Sequence, residues 1–261
     1  MKLIDAWKSW EGRTPPFILE EDRPCLHNAI NNPKGACCDP WEKVRESETF
    51  GSPADTRLHL GLFPQPFCGN LVTARIFVLM LNPGLGYGDY FAEYETPGFK
   101  IALVAGLRQE FDVTHPSFMY LDPRFAFHSG FRWWHDKFQA VIGNVAGERK
   151  IPFAQARRLL ADQLASVELF PYHSRSFEDH GHWLRDLPSV KLVRDFVQND
   201  LIPRTERGEA LVIVTRKAKE WRVLASENVV VYGAGEAQAA HLSPESRGGE
   251  KILEFLDRHR T

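Results

Sequence analysis

After its first seventy residues the chain carries four apolar, β-rich runs, at 74–81, 166–170, 210–215 and 228–232. The first stops at Asn82-Pro83-Gly84, the second at Pro171 and the last at Gly233. Val, Ile and Leu follow one another in these runs without polar alternation, which predicts strands buried on both faces, the habit of parallel sheets. Helical spacing lies between them. Residues 153–164 put Ala156, Leu159, Leu160 and Leu164 on one side and Arg157 and Arg158 outward. Residues 190–201 carry a stripe of Val190, Leu192, Val193, Phe196 and Val197, and 251–259 one of Ile252, Leu253, Phe255 and Leu256. Strands alternating with helices predict an α/β fold, a three-layer helix–sheet–helix sandwich around a mostly parallel four-stranded sheet. Residues 1–70 are punctuated by Pro, Asn and Gly, as in Asn31-Asn32-Pro33 and Phe63-Pro64-Gln65-Pro66. They predict short elements wrapped on one domain spanning 1–261.

Composition narrows the class. Of 261 residues, 43% are hydrophobic and 25% charged, the balance of a globular protein. The longest apolar run, 76–81, is far short of the roughly 20 residues that cross a bilayer. Lys2, Asp5 and Lys8 interrupt any secretory leader, so a cytoplasmic location and no membrane partner are expected. Thirty-two basic against thirty-four acidic side chains give a net charge of −2. Nucleic-acid binding would therefore need a local basic face. Arg157 with Arg158, Arg216 with Lys217 and Lys219, and Arg247 with Lys251 are such clusters, each read first as a solvated helix face. Cys25, Cys37, Cys38 and Cys68 contain no Cys-x-x-Cys pair, so reduced thiols are expected, with no metal and no cofactor. Trp133, Trp134 and His135, flanked by Phe131 and Phe138, read as a packed helix, with a DNA-facing wedge as the alternative. His180 and His182 read as exposed residues of a charged loop.

In parallel sheets sites form beyond the carboxyl ends of the strands. Beyond the first run comes Leu81-Asn82-Pro83-Gly84-Leu85-Gly86-Tyr87-Gly88-Asp89-Tyr90-Phe91. Turn chemistry alone accounts for Asn-Pro-Gly, and the glycines do not fit the dinucleotide spacing Gly-x-Gly-x-x-Gly. The second run holds Glu168, a carboxylate in apolar company that must find partners or keep its proton. It fits either a salt-bridged core residue or a ligand-reading one. After the fourth run, His241-Leu242-Ser243-Pro244-Glu245-Ser246-Arg247 offers an imidazole, hydroxyls and a guanidinium, which suit a phosphodiester.

In order and position these segments resemble the uracil-DNA glycosylase superfamily. Leu81-Asn82-Pro83-Gly84 is similar to its first motif in the Asn form. The segment 241–246 is similar to its last, His-Pro-Ser-Pro-x-Ser, with Leu242 where Pro is usual. Glu168-Leu169-Phe170-Pro171 stands where the family has Asn-Leu-Phe-Pro with a base-reading Asn. The resemblance covers residues 60–261. It implies a monomeric DNA N-glycosylase that flips a nucleotide out of the stack. Asn82 would orient the attacking water, with Asp89 as helper, and His241 would bond the departing base. Tyr90 or Phe91 would stack on the base, while Ser243, Ser246, Arg247 and Ser174 would meet the DNA backbone. No lysine in these motifs offers a Schiff base, so hydrolysis to an abasic site is expected. Glu168 departs from the pattern: a carboxylate accepts from the exocyclic amine of cytosine but cannot donate unless protonated. That points to a modified or noncanonical pyrimidine, for instance glucosylated hydroxymethylcytosine in antiviral defence. Uracil or mismatch repair, a non-catalytic nucleic-acid-binding module and a small-molecule hydrolase are the alternatives. The spaced cysteines of the family's iron–sulfur branches are not matched.

Overall fold

A computed structural model describes residues 1–86, 88–178 and 183–259. His180 and His182 lie outside the described residues, as does Tyr87. Seven strands occur among those described: β1 (Ala36–Cys37), β2 (Leu58–His59), β3 (Phe67–Cys68), β4 (Ile76–Met80), β5 (Leu164–Glu168), β6 (Leu211–Val214) and β7 (Val229–Val231). β1 and β2 form a small parallel sheet. The larger sheet runs in the order β3-β5-β4-β6-β7. β6 pairs in parallel with β4, Val78 opposite Ile213, and with β7, Ile213 opposite Val230. Every residue of β4, β5 and β6 is buried, and β4 and β6 accordingly lack polar alternation.

The sheet has five strands where the hydrophobic runs predict four. The additional β3 is two residues long, between Pro66 and Gly69, too short to register as a run. Gly69 is required there. Its φ is +92°, and a Cβ would sit 2.3 Å from the Leu164 carbonyl oxygen. β5 also lies two residues earlier than predicted. The helix Phe153–Gln163 passes directly into it at Leu164, whose φ of −98° and ψ of 139° are already extended. Glu168 is therefore the last residue of its strand.

By their internal contacts the residues form two compact units, 1–67 with 81–110 and 168–196, and 68–80 with 111–167 and 197–261. In the first, Trp10, Phe17 and Phe63 meet edge to face at 4.6–6.1 Å, beside the buried Leu3 and Trp7. In the second, the helix Ser129–Arg149 buries Phe131, Trp134, Phe138, Val141, Ile142 and Val145 along one face. Trp134 stacks on Phe138 at 5.8 Å, so most of this aromatic run is core material. Arg158 is partly exposed and engaged: it pairs with Asp162 at 2.6 Å and donates to the carbonyls of Val113, Thr114 and His115. The stripe at 190–201 changes pitch. An α-helix over Pro188–Phe196 opens into π-turns at Val197–Leu201 just before Pro203, whose ring cannot continue an i−4 ladder. No helix among the described residues is long and apolar enough to cross a membrane.

Candidate active site

The candidate site is built on the first unit, where Asn82 follows β4 and residues 169–174 follow β5. The chain 59–66 runs beside that second segment: His59 N donates to His173 O at 2.8 Å, Gln65 N to Pro171 O at 2.8 Å and Glu168 N to Pro66 O at 2.9 Å. Phe170 N donates to Leu81 O at 2.8 Å, which lays the turn after β5 against the start of the Asn-Pro-Gly loop. Asn82 is half-buried, and its Nδ2 donates to Ser174 Oγ at 3.1 Å, Pro83 O at 3.3 Å and Tyr172 O at 3.4 Å. All of its side-chain bonds run from nitrogen; Oδ1 makes none among the described residues. An amide held this way presents a fixed acceptor.

The loop has further anchors. His173 Nδ1 lies 2.8 Å from Gly84 O and its Nε2 3.1 Å from Phe63 O. Asp89 Oδ2 accepts from Gly86 N at 2.7 Å and stands 4.0 Å from His173 Nδ1. The wrapping segment supports the turn from behind. Tyr172 Oη donates to the wholly buried Asp22 at 2.6 Å, and Ser189 N donates to the same carboxylate at 2.9 Å. Burial raises the Asp22 pKa against the pull of these two bonds.

Beside the loop opens a cavity of about 60 Å³, lined among others by Leu85, Gly86, Tyr90, His59, Phe50 and Arg57. Tyr90, Cys37 and Val44 of its lining pack in one cluster with Leu62. In its wall Arg57 holds Asp55 by two bonds, at 2.6 and 2.8 Å. Burial pushes the Asp55 carboxyl up, but the Arg57 bonds and the nearby His59 outweigh it and hold it low. His59 is driven down to about 4 by burial, against the attraction of Asp55, so it is neutral near pH 7. Its Nδ1 meets Tyr90 Oη at 3.1 Å. Nearby, Glu93 takes the Phe63 amide at 2.9 Å, and burial raises its pKa well above the usual carboxylate range.

Several expected residues acquire different neighbours. Ser174, expected at the DNA backbone, is 2% exposed with its hydroxyl on Asn82, because the turn after β5 folds back onto the loop. Asp89 is buried on Gly86 and His173. The Tyr90 ring already stacks on Trp41 and Tyr94, both at 6.2 Å, while Phe91 is 48% exposed. Glu168 is buried at the end of β5. His59, Arg57 and Phe50 were not anticipated, for they lie in a segment without periodicity. Cys25, Cys37, Cys38 and Cys68 are unbridged, and burial pushes the Cys38 thiol up to about 11.

The remaining expected residues belong to the second unit and are described within it. The His241 side chain is exposed, while its carbonyl accepts from Tyr232 Oη. Ser246 caps the helix Arg247–Arg258, accepting from Gly249 N at 3.1 Å and donating to Ser243 O at 2.7 Å. Arg247 is exposed but engaged: it pairs with Glu236 at 2.6 and 2.7 Å and donates to Val231 O at 2.8 Å. Arg247, helped by the Gly233 amide, holds the Glu236 carboxyl down at about 2. Comparison of the chain with protein-family models, curated proteins and solved structures returns no match.

Proposed function

We propose that this protein is a monofunctional DNA N-glycosylase acting on a modified or noncanonical pyrimidine. The observation that carries the reading is the anchored Asn82 amide, whose nitrogen is committed to Ser174, Tyr172 and Pro83 while Oδ1 stays open. An amide is too weak a base to take a proton, but a fixed acceptor can orient a water for attack on C1′ as the base departs. In this reading the flipped base enters at the cavity beside the loop, which must widen to take a ring and its substituent. Glu168, by the resemblance, reads the exocyclic amine of a cytosine-type ring. His241 is assigned to the departing base, and Ser243, Ser246 and Arg247 to phosphates, on the sequence resemblance alone. In this reading the helices cover both faces of the sheet as three layers, and the chain works on DNA as a cytoplasmic monomer.

Mass spectrometry of bases released from uracil-containing, mismatched and phage-modified DNAs tests it. The expected result is release of one modified pyrimidine with the strand left intact. Asn82→Ala is expected to slow release by about 100-fold with DNA binding retained. No release from any of these DNAs, or equal release by Asn82→Ala, would remove the proposal.

A further inference from the structure

One side chain ties the turn after β5 to two other segments. His173 is 3% exposed, with Nδ1 at 2.8 Å from the Gly84 carbonyl and Nε2 at 3.1 Å from the Phe63 carbonyl. A carbonyl oxygen only accepts. A neutral imidazole satisfies one of these two and turns a lone pair toward the other, whereas an imidazolium donates to both. The Asp89 carboxylate stands 4.0 Å from Nδ1 and also takes the Gly86 amide at 2.7 Å. We propose that His173 is carried as an imidazolium paired with Asp89, and that this pair is the positioning element of the Asn-Pro-Gly loop. Asp89 is then the counter-ion of His173 and not the base of the reaction. The link to a reaction rests on the glycosylase reading; the charge state does not.

The ionisable groups around the ring agree. His59 shares a main-chain bridge with His173 and is kept neutral by burial, so it adds no second cation near pH 7. Burial also raises the pKa of Glu93, which sits on the Phe63 amide. Asp89 is the carboxylate that stands at 4.0 Å from the ring. With the proton in place the loop is held at Asn82, Gly84 and Gly86. Without it one of the two carbonyls, Gly84 or Phe63, loses its donor and the tie between their segments opens. The sign of the pH dependence follows: base release falls as pH rises through His173 deprotonation, whereas a general-base Asp89 would fail on the acid side.

The full chain, nitrogen-15 labelled at histidine, tests this at about pH 7.5, where an ordinary imidazole is mostly neutral. His173 is identified by signal loss in His173→Gln, or by backbone assignment where that variant does not fold. Both ring nitrogens are expected to carry protons in the unaltered protein, and one to lose its proton in Asp89→Asn. An unprotonated ring nitrogen in the unaltered protein overturns the proposal. In base release, Asp89→Asn is expected to lower kcat, with KM kept, by less than the roughly 100-fold that removing a general base gives, and to move the alkaline limb to lower pH. A larger loss confined to the acid side gives Asp89 the base role and also overturns it. If no DNA yields a base with the unaltered protein, the glycosylase reading fails and the nitrogen signals still decide the charge state.

Discussion

The two loops that carry the candidate chemistry are held by different means. In the first unit the Asn-Pro-Gly loop is fixed by side chains: Ser174 on Asn82, His173 on Gly84 and Asp89 on Gly86. In the second unit the segment 241–246 is fixed by hydroxyls, with Tyr232 on the His241 carbonyl and Ser246 on the Gly249 amide and the Ser243 carbonyl. The first loop is thus sensitive to side-chain identity and to protonation. The second depends on close backbone packing and leaves its imidazole exposed. A buried imidazole–carboxylate support should make stability depend on pH near neutrality, and a hydroxyl support should not.

The largest expected effect tests the first half of that contrast. His59 titrates at about 4 in the folded chain against 6.5 ordinarily, because burial opposes its charge. Its folded pKa is depressed, so the unfolded chain binds the proton first. The stability that rests on His59 is intact above pH 6.5 and is lost as pH falls through the folded value near 4. The difference is on the order of 3 kcal/mol. Denaturant unfolding of the unaltered protein should therefore weaken across that window, and His59→Gln should flatten the slope. A variant that keeps the full acid dependence would locate the support elsewhere.

Next in size is Gly249→Ala, directed at the second loop. A Cβ there would lie 1.9 Å from the Ser243 carbonyl oxygen, and that oxygen belongs to backbone already bonded to Ser246. Overpacking of this kind costs about 1–3 kcal/mol. The loss should be the same at pH 5 and pH 8, because no titrating group takes part in this contact. A stability loss relative to the unaltered protein that changes between those two pH values would erase the distinction between the loops.

The legibility of these features in the sequence follows the range of the forces involved. β4, β6 and β7 are legible as uninterrupted Val, Ile and Leu runs, since burial on both faces leaves its mark residue by residue. β5 is displaced because Leu164 satisfies the helical stripe and the strand equally, and only backbone conformation decides between them. β3 depends on Gly69 approaching Leu164, a tertiary event that leaves one glycine as its trace. In the site, Asn82 stands out through turn chemistry and Glu168 through its misfit with apolar neighbours. His59 does not, because its meaning comes from pairing with His173, far along the chain. Ser174 is legible as a polar residue beyond a strand, but its partner is not.

The smallest effect on stability separates the loops most sharply in function. Arg247 and Glu236 are 55% and 41% exposed, and such pairs contribute about 0–1 kcal/mol. Glu236→Gln should therefore barely move the unfolding midpoint. The same change removes the anion that holds the guanidinium, which keeps its bond to the Val231 carbonyl and stays near Tyr232. A guanidinium released from its carboxylate is free to take a phosphate, and each added phosphate contact steepens the salt dependence of DNA binding by about one in slope. Glu236→Gln is accordingly expected to bind DNA more tightly at low salt and to lose that advantage as salt rises. Binding unchanged at every salt concentration would mean that Arg247 serves only to brace the end of β7, and the second loop would then be structural throughout.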